Sequence, residues 1–87
     1  MYKYHYNIYP DANESIYYAQ KQILSGIPEI VVEKELHDVD DSRIQIYFLD
    51  GKKIKLICST DVGAVYMDTD IDVASYVLQQ DELATAV

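Results

Sequence analysis

The chain of 87 residues is 49% apolar and 25% charged, with a formal net charge of −8, enough for one packed domain but too little to enclose a deep substrate cavity as well. Negative charge weighs against direct nucleic-acid binding, which draws its affinity from Lys and Arg set on phosphates. No run approaches the roughly 20 apolar residues of a membrane span, and the opening MYKYHYNIYP lacks the apolar stretch of a signal peptide, so a cytoplasmic protein with no membrane partner is expected.

The first element reads from strict alternation. Tyr2, Tyr4, Tyr6 and Ile8 fall on one face and Lys3, His5, Asn7 and Tyr9 on the other, the pattern of a half-buried strand. Pro10 stops it, and Asp11 to Asn13 supply turn and cap chemistry for a helix over about 13 to 25. Ile16, Ala19 and Ile23 recur at helical spacing with Leu24 beside them, which predicts the buried stripe. Gly26 stands where a left-handed residue would close the helix, and Pro28 prevents continuation.

A second strand is predicted over 29 to 37, with Ile30, Val32 and Leu36 on its apolar face. Lys34 interrupts that face, which marks an edge or a strand end. Asp38 to Ser42 then reads as a solvated loop.

The segment RIQIYFLDGKKIKLIC predicts a hairpin. A two-residue Asp50-Gly51 turn would set Phe48 across from Lys53 and Ile46 across from Lys55, placing lysines on the apolar face. A three-residue turn, Leu49 to Gly51, instead pairs Ile46 with Ile54 and Ile44 with Leu56, and is the register the pattern favours. It leaves Arg43, Gln45, Tyr47, Lys53 and Lys55 as a basic outer patch. GAVYM predicts a further short strand, and Ile71, Ala74, Val77 and Leu78 predict a second helix from Asp70 to about Gln80.

The order is therefore β-α-β-β-β-(β)-α: one compact domain over residues 1–87, of the α+β class, in which two helices pack on one face of an antiparallel sheet of four to five strands.

The aspartates of DVGAVYMDTDID resemble the start of a calcium loop, yet the sixth position from Asp68 is Val73 rather than glycine and the twelfth is Gln79 rather than glutamate. No metal is expected there. Thr69 or Asp70 instead reads as a helix cap, with Asp72 in the first turn. His5 and His37 lie apart and outside any nucleophile motif, Ser42 and Ser59 lack an evident base, and no phosphate loop or metal-ligand spacing occurs. Neither catalytic residues nor a cofactor are expected. Cys58, the lone cysteine, excludes an internal disulfide and reads as a small core residue.

Charge distribution carries the functional reading. Residues 29 to 42 hold six acids against Lys34, residues 61 to 87 hold six acids, and no Lys or Arg follows Lys55. Glu33, Glu35, Asp38, Asp40 and Asp41 form one cluster; Asp61, Asp68 and Asp70, with Tyr66 as an aromatic anchor, form another. These nine residues are the candidate partner-binding set, suited to a protein with a basic surface, such as a nuclease or nucleic-acid-binding complex, blocked by charge complementarity or by imitation of a phosphate backbone. In size, acidity and its nine tyrosines the chain is similar in composition to small phage or mobile-element inhibitors of bacterial nucleases and defence complexes, and to immunity proteins. The alternatives are an immunity protein or antitoxin for one cognate toxin, and a structural module that forms homo-oligomers through its basic hairpin face.

Overall fold

The computed structural model describes residues 2–39 and 41–78. In chain order the elements are β1 (Tyr4–Tyr9), α1 (Glu14–Ser25), β2 (Val31–His37), β3 (Arg43–Leu49), β4 (Lys52–Ser59) and β5 (Ala64–Thr69), followed by a single 3-10 turn at Ala74–Tyr76. The five strands make one sheet in the order β1-β5-β4-β3-β2, with every neighbouring pair antiparallel. Strands β2 to β5 form a meander, and α1 carries the chain across one face from β1 at one edge to β2 at the other.

The sheet has a covered and an open face. Toward α1 it presents Tyr47, Ile54, Leu56, Cys58, Val65 and Met67, which join Ile8, Tyr17, Leu24, Ile27 and Val73 in the core. Toward solvent, register sets three rows: Leu36, Ile44, Ile57, Tyr66 and Asn7; then Ile46, Lys55, Asp68 and His5; then Val31, Phe48 and Lys53. Ile46 and Ile57 remain buried on that open face, walled in by their neighbours.

The helix begins as expected, with the Asn13 carboxamide accepting the Ile16 amide at 3.2 Å and Glu14 in its first turn. Its buried stripe is Tyr17, Gln20 and Leu24, whereas Ile16, Ala19 and Ile23 are half-buried. The rotation lets two polar side chains work inward: the Tyr17 hydroxyl donates to Glu35 at 2.9 Å, and Gln20 binds backbone in the 76–78 segment. Gly26 is right-handed at φ −82°, its N–H directed to the carbonyls of Gln22, Ile23 and Leu24, so the left-handed closure does not occur.

The hairpin takes the register that the apolar pattern disfavours. Tyr47 pairs with Ile54, Ile46 with Lys55 and Phe48 with Lys53 across a two-residue turn, with Asp50 at φ 55° and Gly51 at φ 75°. Two positive φ values in succession are what an Asp-Gly hairpin turn provides at low cost, and its twist matches that of the strands. The conflict resolves because β3 has apolar residues on both faces, Tyr47 and Leu49 on one and Ile44, Ile46 and Phe48 on the other. Tyr47 enters the core, fully buried, and Gln45 is satisfied by the carbonyls of Lys34 and Ile46 at 3.0 and 3.1 Å. Lys53 and Lys55 project from the open face. Tyr47 and Gln45 therefore do not belong to an outer basic patch.

Strand β2 is an edge, as Lys34 suggested, and all seven of its residues are exposed. A bulge sets Glu33 and Lys34 opposite the single residue Ile46, between the pairs Val32–Tyr47 and Glu35–Gln45. Val32 and Leu36 consequently lie on opposite faces, not on one.

Only one helix is present among the described residues, so the two-helix layer is corrected to one. Over 70–78 the backbone groups a helix would use are engaged elsewhere. Asp72 accepts the Ala74 amide at 3.0 Å and the Tyr6 hydroxyl at 2.9 Å; Gln20 takes the Tyr76 carbonyl and the Leu78 amide; Val77 is extended. Thr69 donates to the Ile71 carbonyl and does not cap a helix. Residues 79–87, to which the end of the predicted helix belongs, lie outside the described residues.

Candidate partner-binding surface

Strand order decides which acids meet. The first residue of β3, Arg43, pairs with Cys58 near the end of β4, so the β2–β3 turn and the β4–β5 turn emerge from the same end of the sheet. They are joined directly: Ser42 Oγ accepts the Thr60 amide at 3.0 Å and lies 3.2 Å from Thr60 Oγ1. Asp38, Asp41 and Asp61, all exposed, are thereby collected at one end. β1 finishes there too, with Tyr9 opposite Val65, which adds Asp11 and Glu14 from the segment leading into α1.

Each turn is stiffened by its own hydrogen bonds. Asp38 accepts the Val39 amide at 2.8 Å through its carboxylate, and its N–H donates to the Ser42 carbonyl at 2.9 Å. Asp41 adopts φ 68°, a conformation tolerated by short polar side chains. In the second turn Ser59 Oγ accepts the Val62 amide at 3.0 Å, and the Ser59 carbonyl accepts that of Gly63 at 2.8 Å; Gly63 meets the need for φ 75° there.

The two turns share a further feature that charge counting overlooks. Val39 is 101% exposed and Val62 65% exposed, each directly after an aspartate. Two apolar tips thus project from an acidic end. Apolar area bordered by polar groups is the arrangement of a protein contact surface. Asp-Val at 38–39 and 61–62 does not by itself reveal them, because Val73 of the third Asp-Val, Asp72-Val73, is fully buried.

Cations at this end are few. Arg43 Nε lies 3.6 Å from Glu14 Oε1 and Arg43 Nη1 donates to the Tyr18 hydroxyl at 3.0 Å; Arg43 Nε itself is enclosed with no hydrogen-bond partner. His37 Nε2 lies 3.4 Å from Asp41. No lysine occurs in residues 10–14, 38–42 or 60–63.

The remaining candidates are placed elsewhere. Glu35 is turned toward α1, where Lys21 Nζ lies 2.7 Å from its carboxylate; that ammonium, and after it the Tyr17 hydroxyl, hold its pKa below the ordinary range. Lys21 also sits 5.4 and 5.1 Å from the ring centroids of Tyr17 and Tyr18, a cation–aromatic cluster that ties helix to strand. Glu33 is exposed on the β2 edge. Asp68 and Tyr66 lie on the open face: Asp68 is 2.6 Å from His5 Nδ1, and its bond pushes the His5 pKa up, while the Tyr66 ring packs 5.4 Å from His5. Asp68 also stands across from Lys55. Asp70 follows β5 at the opposite end from the acidic turns, its amide donating to the Lys53 carbonyl at 3.0 Å. Asp40 lies outside the described residues. The two predicted clusters are thus divided, with Asp61 joining Asp38 and Asp41 while Asp68 and Asp70 stand apart.

Cys58 is buried, and desolvation raises its thiol pKa. A depression of about 300 Å³ beside the end of β1 is lined by Asn7, Ile8, Tyr9, Pro10 and Ala64, which offer it no carboxylate, imidazole or thiol. Among the described residues no three His, Cys, Asp or Glu side chains converge in a way that could hold a metal ion, and no helix is long and apolar enough to cross a membrane. Compared with protein-family models, with curated proteins and with solved structures, the chain matches none significantly.

Proposed function

We propose that the protein is a non-enzymatic, cytoplasmic binding module that occupies a basic surface on another protein, of the kind that handles nucleic acid, and blocks it by charge complementarity. The observation that carries this reading is the pair of hydrogen-bonded turns that brings Asp38, Asp41 and Asp61 to one end around the exposed valines 39 and 62. Carboxylates on these braced turns supply long-range attraction and orientation, while the valines supply apolar area at the point of contact. Glu35, Asp68 and Asp72 are engaged in internal contacts and have no direct part in this binding.

Affinity capture on the immobilised protein, with Asp38→Asn, Asp41→Asn and Asp61→Asn combined as the comparison, tests the proposal. A basic protein retained by the native chain, released as salt rises and lost from the triple variant is the expected result. A partner held equally by both would show that binding lies elsewhere.

A further inference from the structure

We propose that strand β2 is a self-complementary edge through which two copies of this chain pair antiparallel, extending the sheet from five strands to ten. The proposal is independent of the acidic end, since it rests on a different element. β2 is the terminal strand of the sheet beyond β3, all seven of its residues are exposed, and Val31, Val32 and Leu36 are 55%, 52% and 44% exposed. An open edge of that kind offers a row of backbone donors and acceptors to a further strand.

The bulge selects the partner. Val31 and Leu36 share the open face with Phe48 and Ile44, Val32 and Glu35 lie on the helix side with Tyr47 and Gln45, and Glu33 and Lys34 together stand against Ile46. From 31 to 36 the faces therefore read open, covered, open, open, covered, open, which is the same in both directions. Two copies related by a two-fold axis between Glu33 and Lys34 match face to face at every position. Shifting the register by one residue in either direction sets an open-face residue against a covered-face one.

In the matching register the side chains are complementary. Glu33 of each copy faces Lys34 of the other, twice across the axis, and Val31 faces Leu36, also twice. Opposite charges and apolar pairs set directly across two strands are favourable, whereas a register centred on Lys34 would oppose two lysines and set Glu33 against Glu35. The apolar rows of the open face, Val31 with Phe48 and Leu36 with Ile44, then continue across the junction. A single pair of short strands buries an area at the low end of specific interfaces, so the dimer is weak and concentration-dependent.

Charge swapping tests this without disturbing the fold, because both side chains are exposed. Sedimentation of the native chain over a rising concentration series is expected to show a monomer–dimer equilibrium. Glu33→Lys alone sets lysine against lysine, Lys34→Glu alone sets glutamate against glutamate, and each is expected to leave monomer; the double exchange restores opposite pairs and is expected to restore the dimer. Amide exchange over residues 31–36 should slow with concentration in the native and doubly exchanged chains. A native chain that stays monomeric throughout, single variants that dimerise like it, or a double exchange that fails to recover the dimer would each overturn the proposal.

Discussion

Replacing Gln20 with methionine tests the account of how the chain after β5 is held. Gln20 is fully buried on α1, its Nε2 donating to the Tyr76 carbonyl at 2.8 Å and its Oε1 accepting the Leu78 amide at 2.7 Å. Methionine keeps the length and the helix propensity, so neither a cavity nor helix weakening obscures the result. Two hydrogen bonds at a net of about 1 kcal/mol each are lost, and leaving their partners enclosed adds part of a penalty of roughly 1–3 kcal/mol per group. Tyr76 is 38% exposed and Leu78 half-buried, so water relieves some of that penalty, and the expected loss is about 2–3 kcal/mol. For a domain this small that corresponds to a fall in Tm on the order of 10–20 °C. Urea unfolding of both proteins measures it, and exchange of the Leu78 amide locates it. A loss below about 0.5 kcal/mol, with Leu78 still protected, would refute the clamp.

Other contacts in the fold give further expected outcomes. Glu35 has a lowered pKa, so the stability it contributes is present above its unfolded value near 4.5 and is lost as pH falls through its lower folded value; Glu35→Gln should flatten the acid limb of a stability–pH profile, and Tyr17→Phe should cost about 1 kcal/mol and raise the Glu35 titration point seen by NMR. His5 has a raised pKa, so its contribution is complete below its ordinary 6.5 and disappears as pH rises through the folded value; Asp68→Asn should move the His5 ring titration back down, and an unchanged titration would mean that the pair does not persist in solution. Gly51→Ala should cost about 1 kcal/mol from backbone conformation alone, since an added Cβ would meet nothing within 4 Å, whereas Asp50→Asn should be tolerated in the turn; thermal melts distinguish the two.

The elements themselves were legible because each carries local chemistry: alternation through Tyr4 to Ile8, a polar cap at Asn13, Asp-Gly at 50–51, and a lysine breaking the apolar face of β2. Face and register were less legible. The apolar pattern favours Ile46 as the core residue of β3, but Tyr47 and Leu49 give the opposite side apolar residues as well, and the conformational demand of Asp50-Gly51 selects Tyr47. Of the helix stripe, Leu24 is legible from spacing, whereas Tyr17 and Gln20 are polar and owe their burial to partners distant in sequence, Glu35 and the 76–78 segment. Those same bonds replaced the second helix. At the surface, closeness in sequence groups Asp61 with Asp68 and Asp70, whereas strand β5 sets them at its two ends, and the meander returns the β2–β3 turn with Asp38 and Asp41 to the end that Asp61 occupies.

The place of β1 has a consequence for how the molecule is made. Strands β2 to β5 each pair with the strand next to them in sequence, while β1, the earliest to be synthesised, pairs with β5 alone, Tyr4 lying opposite Thr69. β5 is made after every other strand of the sheet. β1 therefore has no sheet partner until the other strands have been made, and its docking, which closes the longest loop in the sheet, bears the largest entropic cost of any strand pairing.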